Sequence, residues 1–406
     1  MSNIPIPSRR SVLISGVSIA GPTLAYWLDR YGFEVTVVER APAVRSGGYP
    51  IDIRGTAMGV VDRMGLRSQV DAAHIASRAL TFVDVEGKVI ATLPIYDLTG
   101  NAEDVELPRG ALTTLLYGLT RDSRVRYRFE DSIETLQDDG AGVDVRFKSG
   151  EHQRYDAVIG SDGIHSNTRR LVFGPEEPFN RYLGSTFNLF SLPNDLGLSH
   201  GAVVYAEPGR AAVVMAVGDS QELFAMLTFA AQAPPFGVHP DRAEQIARTA
   251  AVFADGGWVV PRLVDAMRRT GDLYFDTVSQ IRMSHWSKGR VALVGDAAYA
   301  PSFRSGQGTS LALVGAYVLA GELAAHGDPA EAFAAYERTL RSFVEANQAL
   351  AIKTDGEDLL LPRTPEELEA RNRKLAAFKP GRSAGNLGEK ARAAHSALTL
   401  RDYLGR

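Results

Sequence analysis

The first apolar run of the chain, Ser11-Val12-Leu13-Ile14-Ser15, is too short for a helix and shows no polar alternation, which is the pattern of a strand covered on both faces. It leads into a glycine turn, Gly16-Val17-Ser18-Ile19-Ala20-Gly21. Pro22 and the helically spaced Leu24, Trp27, Leu28 and Tyr31 then predict a helix that ends at Gly32. The β-branched run from Val35 to Val38 predicts the next strand, and it ends in a carboxylate, Glu39, 23 residues beyond Gly16. Strand, glycine turn, helix, strand and acidic residue within about thirty residues make a βαβ unit suited to a dinucleotide.

Tyr155 to Gly160 predicts another buried strand, feeding the turn Ser161-Asp162-Gly163, and Arg290 to Val294 predicts one more, ending at Gly295-Asp296. Between about 183 and 230 the pattern changes to extended runs (202–206, 211–217 and 223–229) separated by turn signals such as Glu207-Pro208-Gly209. This predicts an antiparallel sheet inserted into an α/β domain. Helical periodicity returns near Arg242. From Gly308 onward the chain is mostly helical, with Leu311, Val314, Val318 and Leu319 on one face and Phe333, Tyr336, Leu340 and Phe343 on a later one. Asp328-Pro329 and Thr364-Pro365-Glu366-Glu367 are helix starts, the second with capping-box spacing.

Composition narrows the function classes. The 406 residues are 45% hydrophobic and 23% charged, enough for roughly two or three ordinary domains. A net charge of -4 and the lack of any run of five like charges argue against nucleic acid as a partner. Cysteine is absent, which excludes disulfides, thiolate metal sites and cysteine nucleophiles and fits a cytoplasmic protein. Eight scattered histidines lack metal-ligand pairing, so no metal is expected, and His165 and His285 read as structural. Ser8-Arg9-Arg10 before an apolar stretch has the outline of a twin-arginine export signal, but the same residues read better as strand, loop and helix. No other stretch approaches the ~18 apolar residues of a membrane span.

A pyrophosphate needs close backbone approach and the free N–H groups of a helix start, which Gly16 and Gly21 permit. Ser18 stands where the usual fingerprint has glycine; its hydroxyl could itself donate to a phosphate oxygen. Glu39 falls where a carboxylate accepts hydrogen bonds from an adenosine ribose. Taken alone, this motif is balanced by a plain βαβ unit with a glycine turn. Two further motifs change the balance: Asp156-Ala157-Val158-Ile159-Gly160-Ser161-Asp162-Gly163-Ile164-His165-Ser166-Asn167-Thr168-Arg169, and GDAAYAPSFRSGQGTSLALVGAYVLAGEL at 295–323. In order and spacing across residues 11–345, the three together resemble the fingerprints of the FAD-dependent monooxygenases of the aromatic-hydroxylase type. This is the group A flavoprotein family, which includes hydroxylases of tetracyclines and other polyketides.

The resemblance implies an α/β fold: a doubly wound, Rossmann-like FAD domain of the glutathione-reductase type (1–75, 100–180 and 282–345), an antiparallel β-sheet substrate domain (76–99 and 181–281) and C-terminal helices (346–406). It assigns Asp296, after Gly295, to the ribityl chain of FAD. Gly306-Gln307-Gly308, with Thr309 and Ser310, would open a helix toward the N1 and O2 edge of the flavin ring. It places Arg109 at the cofactor from a helix start and Arg45 and Arg54 around a cofactor-covering loop, Ser46-Gly47-Gly48-Tyr49. Asp162 and Gly163 fall near the pyrophosphate, and Arg40 follows Glu39. Residues Tyr299, Pro301, Phe303 and Arg304 depart from the family pattern and are expected near the flavin and the substrate. Gly315, where the family often has Asp, is expected to allow close helix packing. Phe187, Leu189, Tyr205, Met215 and Met226 suit either a bulky apolar substrate or plain core. The implied chemistry uses NAD(P)H and O2 to hydroxylate or epoxidise a bulky aromatic or polyketide-like small molecule through a flavin C4a-hydroperoxide. A flavin-dependent reductase or dehydrogenase without oxygen insertion, and a non-catalytic flavin- or ligand-binding protein, stay open as alternatives.

Overall fold

The computed structural model describes residues 10–45, 47–94, 103–234, 241–352, 358–378, 389–403 and 405. Strand Ser11–Ser15 lies inside a six-stranded sheet, as its two apolar faces require. Val12 pairs with Val35 of Glu34–Val38 on one side and with Ala157 of Ala157–Gly160 on the other, both in parallel. The full order is Ser287–Lys288, Val291–Leu293, Ala157–Gly160, Ser11–Ser15, Glu34–Val38, Arg126–Arg128, and only the outermost Ser287–Lys288 runs antiparallel. Parallel strands end on the same edge, so the turns after Ser15, Gly160 and Leu293 meet although they are far apart in sequence.

The strand expected from Tyr155 to Gly160 is instead two. His152–Tyr155 joins a three-stranded antiparallel sheet with Val143–Phe147 and Ile133–Asp138. The break falls at Asp156, whose carboxylate accepts the Ser11 N–H at 2.6 Å and the Ser11 hydroxyl at 2.9 Å. A side chain held to a distant backbone leaves no trace in hydrophobic periodicity.

A seven-stranded sheet forms the second half of the molecule, in the order Tyr274–Ile281, Asn180–Pro193, Glu222–Ala230, Arg210–Ala216, Gly201–Glu207, Ala79–Val83, Val89–Pro94. One face (Phe190, Ala212, Val214, Leu227) packs on helices Arg242–Val252 and Val260–Arg269 through Phe253, Leu263 and Met267. The other face carries Phe187, Leu189, Val204, Val213, Met226 and Val278 and looks toward Tyr49. Strand alternation puts Tyr205 on the helix face, 6.2 Å from the Trp258 ring, so it leaves the set of expected substrate-lining residues.

Helix Gly308–Ala325 is apolar all round and runs through the core between helices Ala20–Arg30 and Pro329–Ala349. Against the expectation that no later stretch approaches a membrane span, it is long and apolar enough to cross a membrane, and 83% of it is buried inside the protein. Arg10 closes its end, donating to the carbonyls of Leu323 at 2.8 Å and His326 at 2.7 Å. The two expected helix starts form: Asp328 accepts from the Ala330 N–H at 3.0 Å and Thr364 from the Glu367 N–H at 3.2 Å.

Gly315 lies against Tyr299, where a Cβ would fall 2.0 Å from the tyrosine oxygen. The Tyr299 ring is fully buried, 4.6 Å from Trp286, and its oxygen accepts from Tyr336 at 3.0 Å. The residue expected beside the substrate is therefore a core residue, placed there because Gly315 leaves space for it. Gly315→Ala is expected to lower stability by about 1–3 kcal/mol in denaturant unfolding. Adding Tyr299→Phe should recover most of the loss, because the clashing atom is gone; equal destabilisation in single and double variants would contradict this packing.

Candidate active site

The turn after the first strand brings backbone against backbone. Gly16 has φ +110°, and a Cβ there would lie 2.7 Å from the Ser161 carbonyl oxygen; one on Gly21 would lie 2.0 Å from the Gly16 oxygen. Ser161 ties the second turn to the first, its hydroxyl donating to the carbonyls of Ser15 at 2.9 Å and Gly16 at 3.1 Å. At the third turn, a Cβ on Gly295 would meet that of Ala20 at 3.3 Å. One rim results. Helix Ala20–Arg30 starts at this rim with Ile19 as its N-cap and no side-chain cap, and helix Gly308–Ala325 starts uncapped behind Gln307. Their first N–H groups are open to a negatively charged ligand.

Polar side chains surround the rim. Arg109, at the start of helix Arg109–Gly118, donates from Nη2 to Ser18 Oγ at 2.8 Å, so the serine in the glycine position is a contact point for the arginine. The loop residue Gly48 covers the arginine stem, and the Tyr49 carbonyl accepts the Arg109 N–H at 3.2 Å. Asp296 is accessible from the rim but has protein on its other sides; burial raises its pKa and Arg109 pulls it back down. Glu39 accepts the Val17 N–H at 2.8 Å and the Ala41 N–H at 2.9 Å, one on each oxygen, which keeps a second lone pair on each for a ribose. Ser310 Oγ accepts the Arg54 N–H at 3.1 Å, and the Arg54 guanidinium pairs with Asp52 at 3.0 Å. Burial works against that charge, but Asp52, Asp104 and Glu106 outweigh it and raise the Arg54 pKa.

Arg40 and Arg45 are exposed, and Ser46 lies outside the described residues. The Asp162 carboxylate is occupied: it accepts from the Ser166 hydroxyl and from Thr168 through both N–H and hydroxyl at 2.9 Å, fastening helix Asn167–Phe173. Gly163, with φ +84°, has open space where a side chain would be.

The segment after Tyr299 forms the far wall. Two buried glutamines hold it: Gln280 donates to the Pro301 carbonyl at 3.0 Å, and Gln348 donates to that of Tyr299 at 3.1 Å. Phe303 is turned outward and meets the Phe187 ring at 4.7 Å. Arg304 donates to Ser185 at 3.0 Å and pairs with Asp358 at 3.3 Å; burial lowers its pKa, opposed by Asp358. Phe303 and Arg304 border a cavity of about 230 Å³ completed by Met226, Thr228 and Leu359–Leu361. A separate cavity of about 210 Å³, reached by Tyr299 and lined by Trp286 and Arg341, shares no residue with the rim.

A chain of charges joins the two halves of the molecule. Buried Arg169 donates to the Ala297 carbonyl at 2.9 Å and to Glu176 at 2.6 Å; Glu176 in turn faces His165 Nδ1 at 3.0 Å, and His165 Nε2 faces Asp276 at 3.2 Å. Asp276 also accepts the Tyr274 hydroxyl at 2.7 Å. Asp276 and Glu176 together push the His165 pKa up to about 10, with burial opposing. None of Tyr274, Asp276 or Arg169 is legible as a site residue in sequence; the one usable signal was the i, i+2 spacing of Tyr274 and Asp276 on a strand.

The residues present fit FAD. The glycines leave a cradle that any Cβ would fill, two helix starts have no protein cap, and the Gln307 side-chain Oε1 and Arg54 Nε are buried without a protein partner. Gly16→Val is expected to abolish bound FAD, read from the flavin absorbance of purified protein, while Ser18→Ala keeps it; full occupancy in Gly16→Val would contradict this cradle. His165 holds its proton more tightly folded than unfolded. Its contribution to stability is full below the ordinary value of 6.5 and is lost as pH rises toward about 10. The thermal midpoint should fall across that window, and His165→Gln should flatten the fall; identical pH profiles would contradict the charge chain.

Residues 9–350 match the family described as FAD binding domain. The chain is 39% identical over 375 residues to a flavin-dependent monooxygenase from an unknown prokaryotic organism, covering 90% of this chain and 95% of that protein. It is 45% identical over 345 residues to an uncharacterized protein of Mycobacterium tuberculosis, covering 84% and 92%. The solved structure of tetracycline destructase Tet(55) matches with a TM-score of 0.82 at 36% identity, over 98% of this chain and 100% of that one. The glycine cradle, the uncapped helix starts and these likenesses agree, and the chain belongs to the FAD binding domain family as an oxidoreductase of its flavin-dependent monooxygenases.

Proposed function

We propose that the protein inserts one atom of O2 into a bulky, electron-rich aromatic or polyketide-like small molecule. The observation that supports this reading is a cavity of about 230 Å³ whose Phe303 and Arg304 lie on the short segment joining the Gly295 turn to the helix start at Gly308, and whose other walls include Met226 and Leu359–Leu361. A hydride from NAD(P)H and one proton reduce the second oxygen atom to water, so atoms and electrons balance. Bound FAD supplies the oxygen activation, which no protein side chain can.

The chain's own residues hold, orient and exclude water. Gly16, Ser18, Gly21 and Arg109 would take the diphosphate, Glu39 the adenosine ribose, Asp296 the ribityl chain, and Gly306 to Ser310 the ring edge, where a helix start favours negative charge. Phe303, Phe187 and Leu359 to Leu361 keep the far side dry, which protects a reactive oxygen species from water. Arg304, half desolvated and anchored by Ser185 and Asp358, would orient a carbonyl or enolate oxygen of the substrate. The likeness to a tetracycline destructase makes tetracycline the first substrate to try.

With NAD(P)H and tetracycline or another polyketide, oxygen uptake should match a product heavier by one oxygen atom in mass spectrometry. NAD(P)H oxidation that yields peroxide without such a product, across a panel of aromatic and polyketide compounds, would overturn the reading. Arg304→Ala should raise KM about tenfold with a smaller change in kcat, and unchanged values for both would remove Arg304 from the substrate site.

A further inference from the structure

Tyr274 and Asp276 are two residues apart on strand Tyr274–Ile281, so both leave the sheet on one face, the face of Phe187, Met226 and Val278. The Tyr274 ring lies 5.9 Å from Phe187, whose ring also meets Phe303. The three make one aromatic wall running from the cavity along the sheet face against which Tyr49 packs. Tyr274 keeps 39% of its surface accessible, yet burial pushes its hydroxyl well above the ordinary value. Its open edge faces the space in front of this wall, the recess.

A phenol has one proton to give, and that of Tyr274 is given to Asp276. Asp276 is held as an acceptor from its other sides by the Thr277 N–H at 2.7 Å and by His165, which is cationic at neutral pH because two carboxylates flank it. With its hydrogen committed to the carboxylate, Tyr274 can offer the recess only its oxygen lone pairs. Among the described residues no protein group donates to that oxygen, and it does not line the Arg304 cavity.

We propose that Tyr274 is a specificity-determining residue, accepting a hydrogen bond from a hydroxyl group on an aromatic substrate while Asp276 and His165 hold its own proton away. The inference rests on the proposed oxygenation for the identity of the recess as the substrate site. It adds a chemical requirement to that site: a hydroxyl donor on the ring system, in addition to the group that meets the Arg304 cation.

The test is binding, by calorimetry on the FAD-loaded protein, of naphthol and of its methyl ether. Apolar area alone favours the ether. The expected result is the reverse, about tenfold tighter binding of naphthol, because only naphthol can donate to Tyr274. Tyr274→Phe should erase the preference with flavin absorbance unchanged, and Asp276→Asn should narrow it. Equal binding, tighter binding of the ether, binding of neither, or a preference that survives Tyr274→Phe would each overturn the inference. The wild-type comparison decides even if a variant fails to fold. A naphthol preference without oxygen uptake on any substrate would keep Tyr274 as an acceptor and remove the oxygenation; oxygen insertion without the preference would do the opposite.

Discussion

The close passage of the Gly16 carbonyl beneath Gly21 sets the direction of the first helix, and most of the site follows from it. A methyl group at either glycine would collide with backbone, so the turn can close only without side chains. Closed, it aims the uncapped start of helix Ala20–Arg30 at the rim of a parallel sheet. Ser161 and Gly295 reach the same rim because their strands run in the same direction as the first. Arg109 then arrives from another part of the chain and finds Ser18, which gives a physical reason for a serine at a position where glycine is usual.

The far side of the site is organised by exchange of volume between two positions. A large side chain at Tyr299 and none at Gly315 fill one space together, and the tyrosine hydroxyl is satisfied by Tyr336. With Tyr299 turned into the core, Pro301 is also buried, its carbonyl held by Gln280, and Phe303 is the exposed residue of the segment. The departures from the family pattern at 299 and 315 thus belong to one packing solution. Those at 303 and 304 shape the cavity.

Electrostatics links the halves that packing brings together. Arg169 and His165 come from the second nucleotide motif, Asp276 and Tyr274 from the sheet that walls the cavity, and Glu176 stands between them. His165 has opposite charges on both ring nitrogens and so serves as a fixed cation at neutral pH. The chain ends on one side at the carbonyl beside Asp296 and on the other at a phenol facing the recess.

Local pattern by itself determined the βαβ unit, the parallel strands with their glycine turns, the central apolar helix and the capped helix starts, since each depends on residues within one turn or one strand of each other. The cofactor class was legible through the resemblance of three short motifs, taken in order, to a known family. Only the tertiary structure decided that Tyr299 is core, that Tyr205 faces the helices, and that Tyr274 and Asp276 reach the recess. Those outcomes depend on which strand lies beside which, on the register between them and on the space left by a distant glycine, and a linear pattern of apolar and polar positions holds none of these.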